Sequence, residues 1–147
     1  MKALIALARQ RSKSEPLRIA EIAEGENIPR KFLEAILLEL RKQGILGSRM
    51  GANGGYYLAK PAKEIMLSSV LRLTDGPIAL IPCVSLNFYE RCKECISEAT
   101  CGLHDVALQV RDASLKILTT TSIADLVKKE DRLKTYAVKT KNSKKRM

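Results

Sequence analysis

No apolar run among the 147 residues approaches the length needed to cross a bilayer, which excludes a membrane-spanning helix. The opening, Met1-Lys2 followed by six apolar residues and then Arg9, is too short for a signal peptide, so a cytoplasmic protein is expected. Histidine occurs once, and no second histidine or acidic constellation suited to catalysis lies near the cysteines. General acid–base and triad chemistry lack their usual groups, so the chain does not read as an enzyme. Internal repeats are also absent, which removes solenoids and propellers.

What is present suffices for a packed core. Hydrophobic residues make up 46% of the chain, enough for one domain, or one small domain with an appended element. The formal net charge is +10, unevenly spread. Residues 1–60 carry 11 basic and 6 acidic side chains, residues 61–127 carry 6 and 8, and residues 128–147 carry 9 and 2. Positive charge therefore gathers toward the two ends and leaves a near-neutral middle. Basic charge attracts polyanions by releasing their counterions, which makes nucleic acid the first-choice partner. No basic segment carries the wide apolar face that a membrane surface would engage.

The stretch from Ile28 to Leu58 organises the rest. Pro29 has the fixed φ of a helix start. Phe32, Leu33, Ile36, Leu37 and Leu40 recur at helical spacing as one apolar stripe, while Arg30, Lys31, Glu34, Arg41 and Lys42 occupy the opposite face. Gly44 ends the helix where a left-handed residue is wanted. Two short strands, Ile45–Ser48 and Tyr56–Leu58, then flank a tip built from Arg49, Met50, Gly51, Ala52, Asn53, Gly54 and Gly55. Upstream, Leu17, Ile19, Ile22 and Ala23 form a shorter stripe expected to end at Gly25. Two helices joined by a tight turn and followed by a basic hairpin outline a winged helix-turn-helix, whose second helix enters the major groove. The same elements could also be simply a small core. The charges on the free helix face and at the hairpin tip favour DNA.

Elsewhere the chain reads as follows. Met1–Gln10 is helical in composition, and Arg11–Pro16 is a polar connection. Lys60–Glu64 is a connector, Ile65-Met66-Leu67 is a candidate third wing strand, and Ser68–Thr74 is a short helix. Leu103, Val106, Ala107, Val110, Ala113, Ser114, Ile117 and Leu118 make a long amphipathic helix, ended by Thr119–Thr121 through hydroxyl bonding to the backbone. Ser122 can cap a last short helix, Ile123–Lys129, with Asp125 in its first turn. Asp131–Met147 has little to bury, ends in Lys139, Lys141, Lys144, Lys145 and Arg146 without an acid, and is predicted to be disordered. The predicted organisation is a reading head over 1–76, a cysteine loop over 77–102, a dimerisation helix with a short C-terminal helix over 103–130, and a basic tail over 131–147.

All four cysteines, Cys83, Cys92, Cys95 and Cys101, fall within 19 residues in the pattern C-x8-C-x2-C-x5-C. In a cytosolic chain such clustering points to metal or redox chemistry rather than structural disulfides. Four thiolates can hold an iron–sulfur cluster or a tetrahedral zinc, and spacing alone does not separate the two. Unligated thiols are the third option. His104, one turn after Cys101, is a possible further ligand. A small zinc- or thiol-containing redox or metal-transfer protein, with the winged head as scaffold, is the alternative function.

Together these residues resemble a known bacterial family. Ile19-Ala20-Glu21-Ile22-Ala23, Phe32-Leu33-Glu34 through Leu40-Arg41, Gly44-Ile45-Leu46, and Arg49-Met50-Gly51 with Gly54-Gly55-Tyr56 carry the likeness. The family is that of the iron–sulfur cluster regulator, the nitric-oxide-sensing repressor and the cysteine-metabolism repressor, the Rrf-two family. Cys95, Cys101 and His104 match the spacing of its last two cluster cysteines and nearby histidine. Its evenly spaced first cysteine would fall at Tyr89, which cannot act as a thiolate. Met50 is inserted in the wing signature, Pro29-Arg30 stands where a Leu or Ser is common, and family members begin a few turns earlier, so the start reads as late or trimmed.

The resemblance implies a mainly α fold with a small β-hairpin wing: a winged helix-turn-helix plus a long dimerisation helix. It implies a sequence-specific transcriptional regulator, a repressor, whose occupancy of an inverted-repeat operator in double-stranded DNA is modulated by a cysteine-bound iron–sulfur cluster sensing iron–sulfur, redox or nitric oxide status. It also implies a homodimer joined through the long helix, here by Leu103, Val106, Val110 and Ile117. The broad apolar stripe independently needs more cover than a small head supplies, unless it covers that head itself. Arg30, Lys31, Glu34, Arg41, Arg49 and Asn53 are the candidate DNA-binding residues. Arg30 and Lys31 suit phosphate or guanine, Glu34 a cytosine amine, and Arg49 a narrow minor groove, while Phe32 is assigned to the core.

Overall fold

Apolar spacing becomes structure most directly in the N-terminal half. The computed structural model describes residues 1–10, 15–51 and 53–144, with side-chain surroundings given as far as residue 137. Arg11–Ser14, Ala52, the side chains of Lys139, Lys141 and Lys144, and residues 145–147 lie outside that description. The helices are α1 (Lys2–Ala8), α2 (Ile19–Glu26), α3 (Arg30–Lys42), α4 (Leu67–Thr74), α5 (Gly102–Leu118) and α6 (Ile123–Lys144). Strands β1 (Leu46–Arg49) and β2 (Gly55–Leu58) pair antiparallel, with Leu46 opposite Leu58 and Arg49 opposite Gly55. Among the described residues the chain is thus mainly α-helical with one β-hairpin.

The chain divides into two compact units: Met1–Ile65 with Ser122–Met147, and Met66–Thr121. This corrects the predicted organisation at two places. The short helix α4 belongs to the second unit rather than to the head, and α6 belongs to the head rather than with α5.

In the first unit, Leu4, Ile22, Leu33, Leu37 and Ile123 are the large side chains almost wholly removed from water, joined by Leu40, Ile45, Leu46, Leu58 and Ile65. Helix α1 packs on α2, β2 and α6, and α2 packs on α3. Each fully buried leucine or isoleucine stabilises the fold by about 1.5–3 kcal/mol through apolar burial. Phe32 departs from its predicted place: it is 63% exposed, while Leu33 is 1% exposed. One residue step along an α-helix turns the side chain by roughly 100°, so Phe32 leaves the column defined by Leu33, Leu37 and Leu40.

Helix α2 does not stop at Gly25. It continues to Glu26, and Asn27 takes the left-handed position with φ 52°. Asn tolerates that region because its short side chain bonds locally. Gly44 does end α3 as expected, at φ 67°. The third neighbour in the wing is Leu17, whose N–H donates to the Tyr56 carbonyl at 3.0 Å and whose carbonyl accepts from the Tyr56 N–H at 2.8 Å. Gly55 is required there, because a Cβ would strike the Leu17 carbonyl oxygen. Ile65-Met66-Leu67 is not a wing strand; Ile65 instead accepts a hydrogen bond from the Ile123 N–H at 2.9 Å.

Helix α6 is the largest departure from expectation: it runs as one element to Lys144, across a segment predicted to be disordered. Its start is fixed by a reciprocal cap, in which Ser122 Oγ accepts from the Asp125 N–H at 3.2 Å and Asp125 Oδ2 accepts from the Ser122 N–H at 3.1 Å. The Ser122 hydroxyl also donates to Asp125 Oδ2 at 2.6 Å, and this bond first, with the Ser122 N–H second, holds the Asp125 carboxyl below its ordinary range. Farther along, the Arg9 guanidinium forks onto Glu130 at 2.9 Å and Asp131 at 2.7 Å, clamping α6 to α1. Lysine, leucine and alanine are good helix formers, so a capped and clamped start propagates.

Candidate nucleic-acid interface and cysteine-lined cavity

Burial of Leu33, Leu37 and Leu40 fixes the rotation of α3 about its own axis, and so fixes what it shows to solvent. Arg30, Lys31, Glu34 and Arg41 are all exposed. Arg41 Nη1 donates to Ser48 Oγ at 3.1 Å, tying the helix to β1. Arg49 ends β1 and Asn53 lies in the connecting loop, both exposed. The turn closes through the Gly54 N–H onto the Gly51 carbonyl at 2.9 Å. All six predicted DNA-facing residues therefore belong to one unit, on the surface of one helix and its neighbouring hairpin. Apolar side chains share this exposure, most of all Phe32 in the first turn of α3 and Met50 at the hairpin tip, the latter 95% exposed. Counting Phe32 into a stripe on spacing alone concealed the first of them.

The second unit has a much smaller core: Cys83, Val84 and Ala107 are buried together, with Ala79, Ile81 and Leu108 packed against them. Short 3-10 turns at Pro82–Val84 and Glu98–Thr100 punctuate the cysteine loop. Arg111 of α5 donates to the Val84 carbonyl at 2.7 Å, and Tyr89 OH donates to Glu98 Oε1 at 2.7 Å. The Tyr89–Glu98 bond closes the segment that carries Cys92 and Cys95. The Arg111 anchor was not visible in the sequence, because its partner is a backbone carbonyl far along the chain.

These ties gather all four cysteines and His104 around one cavity of about 420 Å³, with Glu90, Arg91, Lys93 and Glu94 also on its wall. None of the four thiols is in a disulfide. Cys83 is buried, and burial pushes its thiol up, with Glu98 adding to the effect. Cys95 is also pushed up, first by burial and then by the neighbouring Cys101, with which it shares a hydrogen bond. His104 Nδ1 is buried and has no hydrogen-bond partner. An imidazole nitrogen in that position is unusual unless something accepts or supplies its bond. Among the described residues, no three His, Cys, Asp or Glu side chains already converge on one ion position. The donors thus share one cavity without being drawn onto a single ion.

Helix α5, which contributes His104 to that cavity, shows two faces. Ala107 is buried, whereas Leu103, Val106, Val110 and Ile117 are exposed by 66%, 57%, 40% and 61%. The helix ends as the sequence indicated: the hydroxyls of Thr119, Thr120 and Thr121 donate back to the carbonyls of Leu115, Lys116 and Ile117 at 2.6, 2.8 and 2.8 Å.

A helix-turn-helix with a hairpin wing, continued into a cysteine-bearing unit, defines a winged-helix transcriptional regulator rather than an enzyme. The chain belongs to the Rrf2 family, described as iron-dependent transcriptional regulators, whose pattern matches residues 1–129. It is 38% identical over 129 residues to an rrf2-like HTH-type transcriptional regulator of Rhodobacter capsulatus, covering 86% of each chain. It is 32% identical over 123 residues to the HTH-type transcriptional regulator NsrR of Oceanobacillus iheyensis, covering 84% of this chain and 81% of that one. Among solved structures it is similar to CymR, the global cysteine regulator of B. subtilis, with a TM-score of 0.69, 26% identity, and coverage of 86% and 88%. It is also similar to T. potens IscR, with a TM-score of 0.64, 25% identity, and coverage of 88% and 80%.

Proposed function

We propose that this transcriptional regulator is a cytoplasmic homodimer that represses by occupying an inverted repeat in double-stranded DNA, and that an iron–sulfur cluster held by its cysteines modulates that occupancy. The observation that carries the reading is the donor chemistry of one cavity: four thiols and an unpartnered imidazole nitrogen. That set suits an iron–sulfur group in kind, and family membership favours iron over zinc and a regulator over a metal-transfer protein. Cys92, Cys95 and Cys101 would hold the cluster, with Cys92 serving where Tyr89 offers no thiolate. His104 is favoured over Cys83 as the fourth ligand, because Cys83 is occupied in the apolar cluster with Val84 and Ala107. When bound, such a group supplies a centre that responds to iron supply, redox state or nitric oxide.

The homodimer reading rests on the exposed seam of Leu103, Val106, Val110 and Ile117, which is costly in water and complete once matched by a second copy. DNA reading is assigned to Arg30, Lys31, Glu34 and Arg41 on α3, with Arg49 and Asn53 at the wing.

Anaerobically purified protein is expected to be coloured and to contain iron and acid-labile sulfide. Cys95→Ala and Cys101→Ala should each lose the colour, and Cys92→Ala should weaken it strongly. His104→Ala should lose more colour than Cys83→Ala if the histidine is the fourth ligand. Zinc without iron would overturn the cluster reading.

A further inference from the structure

We propose that Phe32 is a specificity-determining residue that reads the 5-methyl group of a thymine in each half-site; the inference rests on the DNA-reading role of α3. A single exposed apolar side chain on a protein surface is ordinary. The setting here is not. Phe32 is 63% exposed in the first turn of the second helix of a helix-turn-helix, directly after Arg30 and Lys31 and two residues before Glu34. Recognition helices bring their N-terminal residues to the base edges. Leu33, Leu37 and Leu40 lock α3 to the core, so the phenyl ring cannot turn inward without unseating three buried leucines.

The side-chain chemistry of the helix then decides the target. Within Arg30–Lys42 the cations suit guanine or phosphate and the carboxylates suit the cytosine amine. The usual adenine readers, Asn and Gln, are absent from that helix. An A·T pair can still be told apart in the major groove by the thymine methyl, which takes an apolar contact, and phenylalanine is one of the side chains that supplies it. Ala35 and Leu38 share the exposed face but lie about a turn or more farther from the helix start, and Ala35 has little reach.

The test uses the full-length protein and duplexes selected by it from a random pool. Each thymine of the enriched half-site is replaced in turn by deoxyuridine, which removes only the methyl. Wild-type protein is expected to lose about fourfold in affinity per half-site at one thymine, the effect of exposing one methyl-sized group. Phe32→Ala should bind the thymine and uracil duplexes equally, and Phe32→Leu should regain part of the difference. Both variants should keep the wild-type salt dependence, since no cation is removed. Enrichment of a sequence whose binding is insensitive to every methyl overturns the role of Phe32 alone. So does a methyl effect that persists in Phe32→Ala. Failure to enrich any sequence overturns the DNA-reading assignment with it.

Discussion

The two compact units of this chain are stabilised by different means. The head buries large aliphatic side chains from four helices, α1, α2, α3 and α6, and a hairpin, and leaves most of its polar groups facing outward. The cysteine unit buries Val70, Val84 and Ala107 with the thiol of Cys83, holds its loop with hydrogen bonds from Arg111 and Tyr89, and leaves Leu80, Leu86, Phe88 and Ile96 exposed. The cluster and the second copy proposed above would each add stability to a unit with so little apolar burial, because metals and partner chains stabilise the state they bind. The contrast teaches that one family fold can hold one unit rigid by packing while leaving the other to be held mainly by a few hydrogen bonds.

The largest effect is expected from attacking the packing of the head. Leu37→Ala, at a wholly buried position, should cost about 2–5 kcal/mol and unfold much of the head, read by thermal melting. A variant that melts with the wild type would mean that α3 is not held as described. Next comes the seam of α5. Val110→Asp with Ile117→Asp should leave a folded monomer in sedimentation, because unpaired charges would enter an apolar contact. A folded dimer from that variant would place the interface elsewhere.

Substitutions on the surface of the head should leave the fold intact and change only binding. Arg49→Ala should weaken binding to all duplexes, and Glu34→Ala should relax sequence choice, each by about 1–3 kcal/mol if the contact is to a base. Equal losses on specific and random duplexes would argue against the role of Glu34. The smallest effect is at the cap of α6. Ser122→Ala should cost about 1 kcal/mol and lower helical content. Because the Asp125 carboxyl lies below its ordinary value in the folded state, its contribution is present above the unfolded value of 3.8 and fades as pH falls through the lower folded value. Ser122→Ala should therefore flatten the acid limb of the stability profile; an unchanged limb would show that the cap does not hold the carboxylate.

Much of the head was legible before folding. The leucine column of α3, the terminator at Gly44 and the two wing strands follow from period and turn chemistry, with the first strand displaced by one residue, to Leu46–Arg49, and the second begun one residue earlier, at Gly55–Leu58. The threonine stop of α5 and the Ser122 cap were equally local, since donor and acceptor lie within one turn. Cysteine crowding was plain as well, and so was the likeness to the family in the wing.

Other features depended on partners distant in sequence. The charged tail read as solvated until Arg9, 121 residues before Glu130, clamped α6 and let a run of good helix formers propagate. Leu17 rather than Ile65–Leu67 completed the wing, because hairpin edges are filled by whichever strand the core brings alongside. Phe32 fell on the solvent side because packing of neighbouring columns, not membership of an apolar stripe, sets which residues are covered. The sequence alone determined the winged-helix elements, the basic bias and the thiol set. Only the tertiary structure decided that those thiols share a cavity with an orphaned imidazole nitrogen, since that arrangement comes from loop ties whose partners no local pattern names.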